Sequence, residues 1–240
     1  MSNVRVTWLG HSCFRLASRE RSIVLDPYGD GTVPGLPPLR QVADAVFCSH
    51  GHSDHNAKAL VELIPRSGSP LEARVEAFVA PHDHHMGEKR GMTWVRIFHF
   101  GELRVAHLGD LGCMPDENLL RALTGVDLLL IPIGGYYTID AKEALEIVEK
   151  TKPRVVVPMH YRAEDFGFDV IDTLDTFAAG FDAVTELPGP HFLLTADSPA
   201  GLVIPALQEQ TDAPRRQSRK MAVDSAINPL QKRIGKTESQ

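Results

Sequence analysis

An α/β fold is the class that this 240-residue sequence predicts, and three observations predict it. Short β-rich runs open the chain, apolar strand-like runs recur through its middle, and segments of helical spacing fall between them. With 43% hydrophobic residues the chain can bury a substantial core, as one large domain or two small ones.

The elements follow in order. "VRVTWL", "CFRLA" and "SIVLDP" are separated by Gly-His or charged turns, which reads as an antiparallel meander. "DAVFCSH" is a further strand and runs directly into "SHGHSDHN", residues 49 to 56. Next, "HNAKALVELI" sets Ala57, Leu60, Val61 and Ile64 at helical spacing, which predicts a helix followed by the loop "SGSP". The strand "VEAFVAPH" precedes "WVRIFHF" and "LRVAHLGD", which the short turn "GE" joins as a hairpin. "PDENLLRALTG" predicts a helix ending at Gly125, and "VDLLLIPIGG" a buried strand. "TIDAKEALEIVEKTKP" is the clearest helix, with Ala141, Ala144, Leu145 and Val148 on one face, and "RVVVPMHY" is again a buried strand. No internal repeat stands out, which argues against a solenoid.

From residue 206 the character changes to a polar, breaker-containing stretch with seven Lys/Arg against four Asp/Glu. It reads as a solvated, flexible tail on a folded domain of residues 1 to 205. A formal net charge of −6 argues against a dedicated nucleic-acid binder. Three cysteines, Cys13, Cys48 and Cys113, lie in no paired spacing, so a disulfide framework and a thiolate zinc knuckle are both unsupported. The first residues lack the apolar run of a signal peptide, and no stretch is apolar enough to span a membrane. A cytoplasmic protein is the expectation.

His and Asp carry the chemistry. In an extended segment residues i and i+2 point the same way, so His50 and His52 can offer nitrogens to one ion, while Asp54 and His55 can face a second. The bland alternative is a loop that is His-rich by chance, or a tag; a tag would be terminal and would not enclose an aspartate.

The H-x-H-x-D-H run resembles the signature of the metallo-β-lactamase superfamily. "WLGHSCF", "HLGDLG", "IPIGGYYTIDAKEA" and "PMHY" look like its branch of small bacterial and archaeal metal-dependent hydrolases, related to the ascorbate phosphate lactonases. The resemblance covers residues 7 to 162 and implies a four-layer αββα sandwich with one or two transition metals at its edge. It also implies a further histidine, an aspartate and a last histidine at strand ends. "PHDHHMGEKRG" supplies His82, "AHLGDLG" supplies Asp110, and "VVVPMHYR" supplies His160. By resemblance His50, His52 and His82 bind the first metal, Asp54, His55 and His160 the second, and Asp110 bridges both. His84 and His85 compete with His82, Asp110 has a turn-capping alternative, and His160 has that of a core histidine. Asp26 reads as the acceptor that orients a ligand histidine, against a plain turn before Pro27. His11 falls near the same sheet edge with no assigned role, and His107 reads as supporting or structural. Cys113 departs from the branch, which carries histidine there.

Two divalent ions sharing a carboxylate can also share a water and bring its pKa toward neutrality, so a metal-bridging hydroxide is the expected nucleophile. Asp54 would orient it and pass a proton to the leaving group, and Asp110 would hold the pair. Zinc suits nitrogen and carboxylate donors; manganese and iron use similar sets. No G-x-S-x-G elbow or phosphate loop occurs. The expected function is hydrolysis of a small ester, lactone or phosphoester, with a phosphodiesterase or nuclease, or a metal-binding module without catalysis, as alternatives. Lys89 and Arg90 follow His82, and Arg162 follows His160, so the expected substrate is a small anion, with no nucleic-acid or membrane partner and the oligomeric state open.

Overall fold

The structure, a computed structural model, describes residues 2–19, 21–65 and 74–207. By its contacts the chain divides into residues 1–210 and 211–240. The expected tail beyond Leu207 therefore lies outside the described residues.

Three strands open the chain as a meander: β1 (Asn3–Gly10), β2 (Cys13–Ser18) and β3 (Arg21–Leu25). The short strands β4 (Gln41–Ala43) and β5 (Ala45–Phe47) follow, then β6 (Val61–Leu63), β7 (Arg74–Pro81), β8 (Met92–Phe100) and β9 (Leu103–His107). Beyond them come α1 (Glu117–Leu123), β10 (Leu128–Pro132), α2 (Ala141–Thr151), β11 (Val155–Met159) and α3 (Asp175–Ala178). The strands β12 (Val184–Glu186), β13 (His191–Thr195) and β14 (Gly201–Ile204) complete the list.

One sheet has five strands in the order β13-β1-β2-β3-β5, and a second has seven in the order β12-β14-β11-β10-β9-β8-β7. Alternation in β1 buries Val4, Val6 and Trp8 while Asn3 and Arg5 face outward, as a strand with one wet face requires. Phe14 and Leu16 of the first sheet and Ile97, Phe98 and Leu129 of the second belong to one buried cluster, so the sheets share a core. Phe47 meets Phe98 edge-on across it at 5.2 Å. By contrast β10 and β11 are buried along their whole length, because helices cover their other face.

The helices α1 and α2 begin at capping aspartates, Asp116 and Asp140. Asp140 accepts from Glu143 N at 2.9 Å while Glu143 Oε2 accepts from Asp140 N at 3.0 Å, a reciprocal capping box at the start of α2. The buried face of α2 holds Ala141, Ala144 and Ile147, with Leu145 and Val148 only partly buried, a small rotation from the expected stripe.

The helix expected at residues 55 to 64 is not formed. In its place stand a 3-10 turn, Lys58–Leu60, and β6, which pairs in parallel with β4. Among the four apolar residues at helical spacing only Val61 is buried, and the turn has no side-chain cap. Pairing with β4, extended by Ile64 N to Ala43 O at 2.9 Å, gives the backbone partners a helix would otherwise provide. Val61 joins Cys13, Val24, Tyr28 and Leu39 in a second, smaller core on the outer face of the five-stranded sheet.

Leu207 packs against both cores. A chain ending at Leu207 is therefore expected to keep the melting temperature and metal content of the full chain, measured side by side. Loss of soluble protein on this truncation would show that the folded unit needs residues beyond 207. No helix among the described residues is long and apolar enough to cross a membrane.

Candidate metal centre

β1, β3 and β5 run parallel to one another, and so do β7, β9, β10 and β11, so the C-terminal ends within each set share an edge. His11, Asp26 and residues 49 to 55 follow the first set; His82, Asp110 and His160 follow the second. The edges meet there: His160 N donates to His11 O at 3.5 Å, and Trp8 Nε1 donates to the same carbonyl at 3.0 Å. Two bonds fix the histidine loop to the second sheet, Trp94 N to Ser49 O at 2.9 Å and Arg96 Nη1 to Cys48 O at 3.0 Å.

The backbone is strained at this edge. His11, Asp26 and His160 have φ of 51°, 44° and 54°, left-handed values that cost a non-glycine residue about 1–2 kcal/mol each. Gly109, at φ 53°, brings Asp110 into place, and a Cβ there would stand 2.5 Å from Thr93 Oγ1 and 2.6 Å from Ser49 Cβ.

Asp110, 2% exposed, is the centre of the arrangement. Its Oδ2 lies 3.1 Å from His55 Nε2, 3.3 Å from His160 Nε2, 3.5 Å from His82 Nε2 and 3.7 Å from His50 Nε2. His52 Nδ1 is 2.9 Å from His50 Nε2 and 3.3 Å from His82 Nε2. Asp54 Oδ2 is 3.3 Å from His11 Nε2 and 3.5 Å from His55 Nε2. Three sets of side chains thus offer converging donor atoms: His50, His52 and His82; His11, Asp54, His55 and His160; and His50, His55 and Asp110.

These residues fit metal ions. Donors about 2.0–2.2 Å from a tetrahedral ion stand roughly 3.3–3.6 Å from each other, which is close to the spacings above. His55 Nε2 and Asp110 Oδ1 are buried without a hydrogen-bond partner, a costly condition that a cation relieves.

The hydrogen bonds also settle which nitrogens face inward. Asp26, 1% exposed, accepts from Ser49 N at 2.6 Å, from Ser49 Oγ at 2.5 Å and from His55 Nδ1 at 2.9 Å. A Ser49 hydroxyl that donates to Asp26 must accept from His50 Nδ1, 2.9 Å away. His50 and His55 thereby each present Nε2 to the centre. Asp26 therefore orients one histidine of each of two sets, the first through Ser49.

Electrostatics follow from the crowding. Burial disfavours charge on His55, but Asp110, Asp26 and Asp54 together outweigh it and hold its pKa well above the ordinary value. Asp110 is likewise driven well below the carboxylate range against burial, chiefly by His160 and His55. Burial pushes His11 and His50 each down to about 4, which keeps both neutral and their lone pairs free. The centre attracts cations.

The rival histidines separate cleanly. His84 and His85 are exposed and bonded outward, to Glu143 at 2.8 Å and Lys89 at 2.7 Å, whereas His82 is 1% exposed. His107 is buried with Nε2 donating to Ser12 O at 3.0 Å and Nδ1 accepting from Gly109 N at 3.2 Å, a supporting strut. His50 and His52 lie in bends beyond β5, so the loop and not strand alternation makes them converge. His11, left without a role by sequence reading, belongs to the Asp54 set. Its signal was its place after a strand parallel to the one that Asp26 follows.

A cavity of about 430 Å3 opens on the centre and is lined by His52, Asp54, His82, Arg90, Asp110, Tyr137, His160 and Phe168, among others. A larger cleft, about 740 Å3, holds none of the converging donors; Arg162 lines it, with Nε donating to Ile171 O at 2.8 Å. The expectation that Arg162 flanks the metals is corrected on that ground: the bond to Ile171 turns its side chain into the other cleft.

Comparison with known proteins agrees with this geometry. A family model described as the beta-lactamase superfamily domain matches residues 5–160. A UPF0173 metal-dependent hydrolase of Thermoplasma acidophilum is 29% identical over 195 residues, covering 69% of this chain and 86% of the relative. One of Carboxydothermus hydrogenoformans is 31% identical over 192 residues, covering 66% and 84%. The crystal structure of a candidate Zn-dependent hydrolase of the metallo-β-lactamase superfamily from Thermotoga maritima superposes with a TM-score of 0.62 at 29% identity, covering 84% of this chain and 97% of that one. With the family model spanning residues 5–160 and relatives of this kind, the chain belongs to the metallo-β-lactamase superfamily and is one of its metal-dependent hydrolases.

Proposed function

We propose that this protein uses two divalent metal ions, most naturally zinc, to hydrolyse a small ester, lactone or phosphoester. The observation that carries the proposal is the single buried oxygen, Asp110 Oδ2, with four imidazole nitrogens 3.1–3.7 Å around it. His50, His52 and His82 would hold one ion, Asp54, His55 and His160 with His11 beside them the other, and Asp110 both. When bound, such a pair supplies an acidified water and a Lewis-acid contact for the scissile oxygen.

The chain's own residues do the rest. Asp26 and Ser49 fix the tautomers of His50 and His55, so the proton that His55 sheds on loading is the one on Nε2. Asp54 is the more open of the two carboxylates that line the cavity, 17% exposed against 2% for Asp110, and is placed to orient the attacking water and carry its proton to the leaving group. His11 stands beside Asp54, its Nε2 3.3 Å from Asp54 Oδ2. A cavity of about 430 Å3 suits a small molecule. Three free cysteines accord with a cytoplasmic setting.

Purified protein is expected to carry close to two equivalents of transition metal by elemental analysis. The double change His50→Ala with His52→Ala should remove mainly one. Turnover across generic ester, lactone and phosphodiester substrates should vanish with a chelator and return with metal. Metal-free protein that hydrolyses at full rate would falsify the proposal, and turnover of the phosphodiester alone would move the substrate class.

A further inference from the structure

We propose that Arg90 is the anchor for an oxyanion on the substrate, away from the scissile bond, and that Asp83 is the residue that positions it. The inference rests on the hydrolase reading above and narrows its substrate to carboxylate- or phosphate-bearing molecules.

Arg90 lines the same cavity as Asp54, His82 and Asp110. Its side chain is half-buried, with the guanidinium carbon 5.0 Å from the Tyr137 ring centre and 5.7 Å from that of Tyr136. Aromatic faces stabilise a guanidinium but leave its planar fork of N–H donors free. Arg21, Arg40 and Arg154 each pair with a carboxylate, of Asp44, Asp30 and Asp127. Arg90 makes no ion pair and no side-chain hydrogen bond with any described residue. A permanently charged, half-buried group facing a cavity calls for an anion, and a carboxylate or phosphate meets the fork with two parallel bonds.

The loop that carries Arg90 is built to hold it still. Asp83 is 3% exposed, and its carboxylate accepts from four backbone N–H groups: His85 at 2.7 Å, Gly87 at 3.0 Å, Lys89 at 3.0 Å and Arg90 at 2.7 Å. Gly91 N to Gly87 O at 2.9 Å and His82 N to Gly91 O at 3.0 Å close the loop onto β7. Gly112 lets the next strand end seat against it, since a Cβ there would meet Asp83 N at 2.1 Å. A rigid loop therefore sets Arg90 at a fixed place relative to His82. Pre-organisation of this kind is what an anchor needs and what a solvated surface arginine lacks.

The test compares 4-acetoxybenzoate with its neutral counterpart 4-acetoxybenzamide on the metal-loaded full chain. The wild type should favour the anion. Arg90→Ala should lower the anion-to-neutral ratio of kcat/KM about tenfold or more, mainly through KM, because a remote anchor holds ground and transition states alike. Arg90→Lys should restore part of the ratio, keeping the charge and losing the fork. Asp83→Asn should lower the ratio in the same direction at unchanged metal content. An unchanged ratio in Arg90→Ala overturns the anchor while leaving the hydrolase reading intact. Equilibrium binding of the products, 4-hydroxybenzoate against 4-hydroxybenzamide, gives the second readout. If neither ester is turned over yet Arg90→Ala weakens only the carboxylate, the ester reading fails and the anchor stands. If the carboxylate binds wild type and Arg90→Ala equally, or neither, the anchor is wrong.

Discussion

Asp110→Ala is expected to lower turnover on the order of 10^3-fold or more while the protein still folds. Asp110 Oδ2 is the atom that stands within 3.7 Å of imidazole nitrogens from both proposed metal sets, so no neighbour can take over its part. The fold does not lean on that oxygen. Asp110 N bonds to Thr93 Oγ1 at 3.2 Å through the backbone, which alanine retains, and the turn comes from Gly109. The informative control is His107→Ala, three residues away and also buried. That change strips partners from Ser12 O and Gly109 N and should cost about 1–3 kcal/mol of stability for each buried group left unpaired. Its surviving folded fraction should turn over substrate at a rate much nearer wild type. Rates and metal contents measured on the two variants, corrected for folded fraction, decide the matter: equal damage to turnover would remove Asp110 from the proposed bridging role.

Much of this could be read from the sequence because the relevant physics is local. The meander of β1 to β3 and the buried β10 and β11 announce themselves through apolar runs bounded by turns, and α2 through its apolar face. The histidine run is legible because so many imidazoles in six positions have few other uses. What stayed hidden depends on distant chain. Residues 57 to 64 carry a helical pattern, yet β4 lies near enough to pair with Val61, and tertiary pairing overrides a weak local preference. His11 shows nothing in sequence of its left-handed φ, nor of the Asp54 oxygen 3.3 Å from it. Arg162 and Arg90 look equivalent as cations two and eight residues beyond a histidine. Only the bond from Arg162 to Ile171 O and the rings under Arg90 tell them apart.

Asp26 should prove nearly as important as the residues that would touch metal, and by a separable route. Its carboxylate is the acceptor for three buried donors, Ser49 N, Ser49 Oγ and His55 Nδ1, and through Ser49 it also fixes His50. Asp26→Ala removes that acceptor at a backbone φ of 44°, where alanine is strained as well, so the combined loss should be about 2–4 kcal/mol of stability. Asp26→Asn separates the two effects. Asparagine tolerates left-handed backbone, so strain stays as it was, but its amide oxygen accepts less strongly and its NH2 group confronts two donors. The Asn variant should therefore keep most of its stability and lose metal affinity by about 10–100-fold, as disturbance of the group behind a ligand histidine does. Both proposed metal sites should be affected, since His50 and His55 belong to different sets. Titration of metal-free protein with zinc, beside a thermal melt of each variant, supplies both quantities. Wild-type affinity in Asp26→Asn, with only the Ala variant impaired, would mean that Asp26 supports the backbone turn and does not orient the histidines.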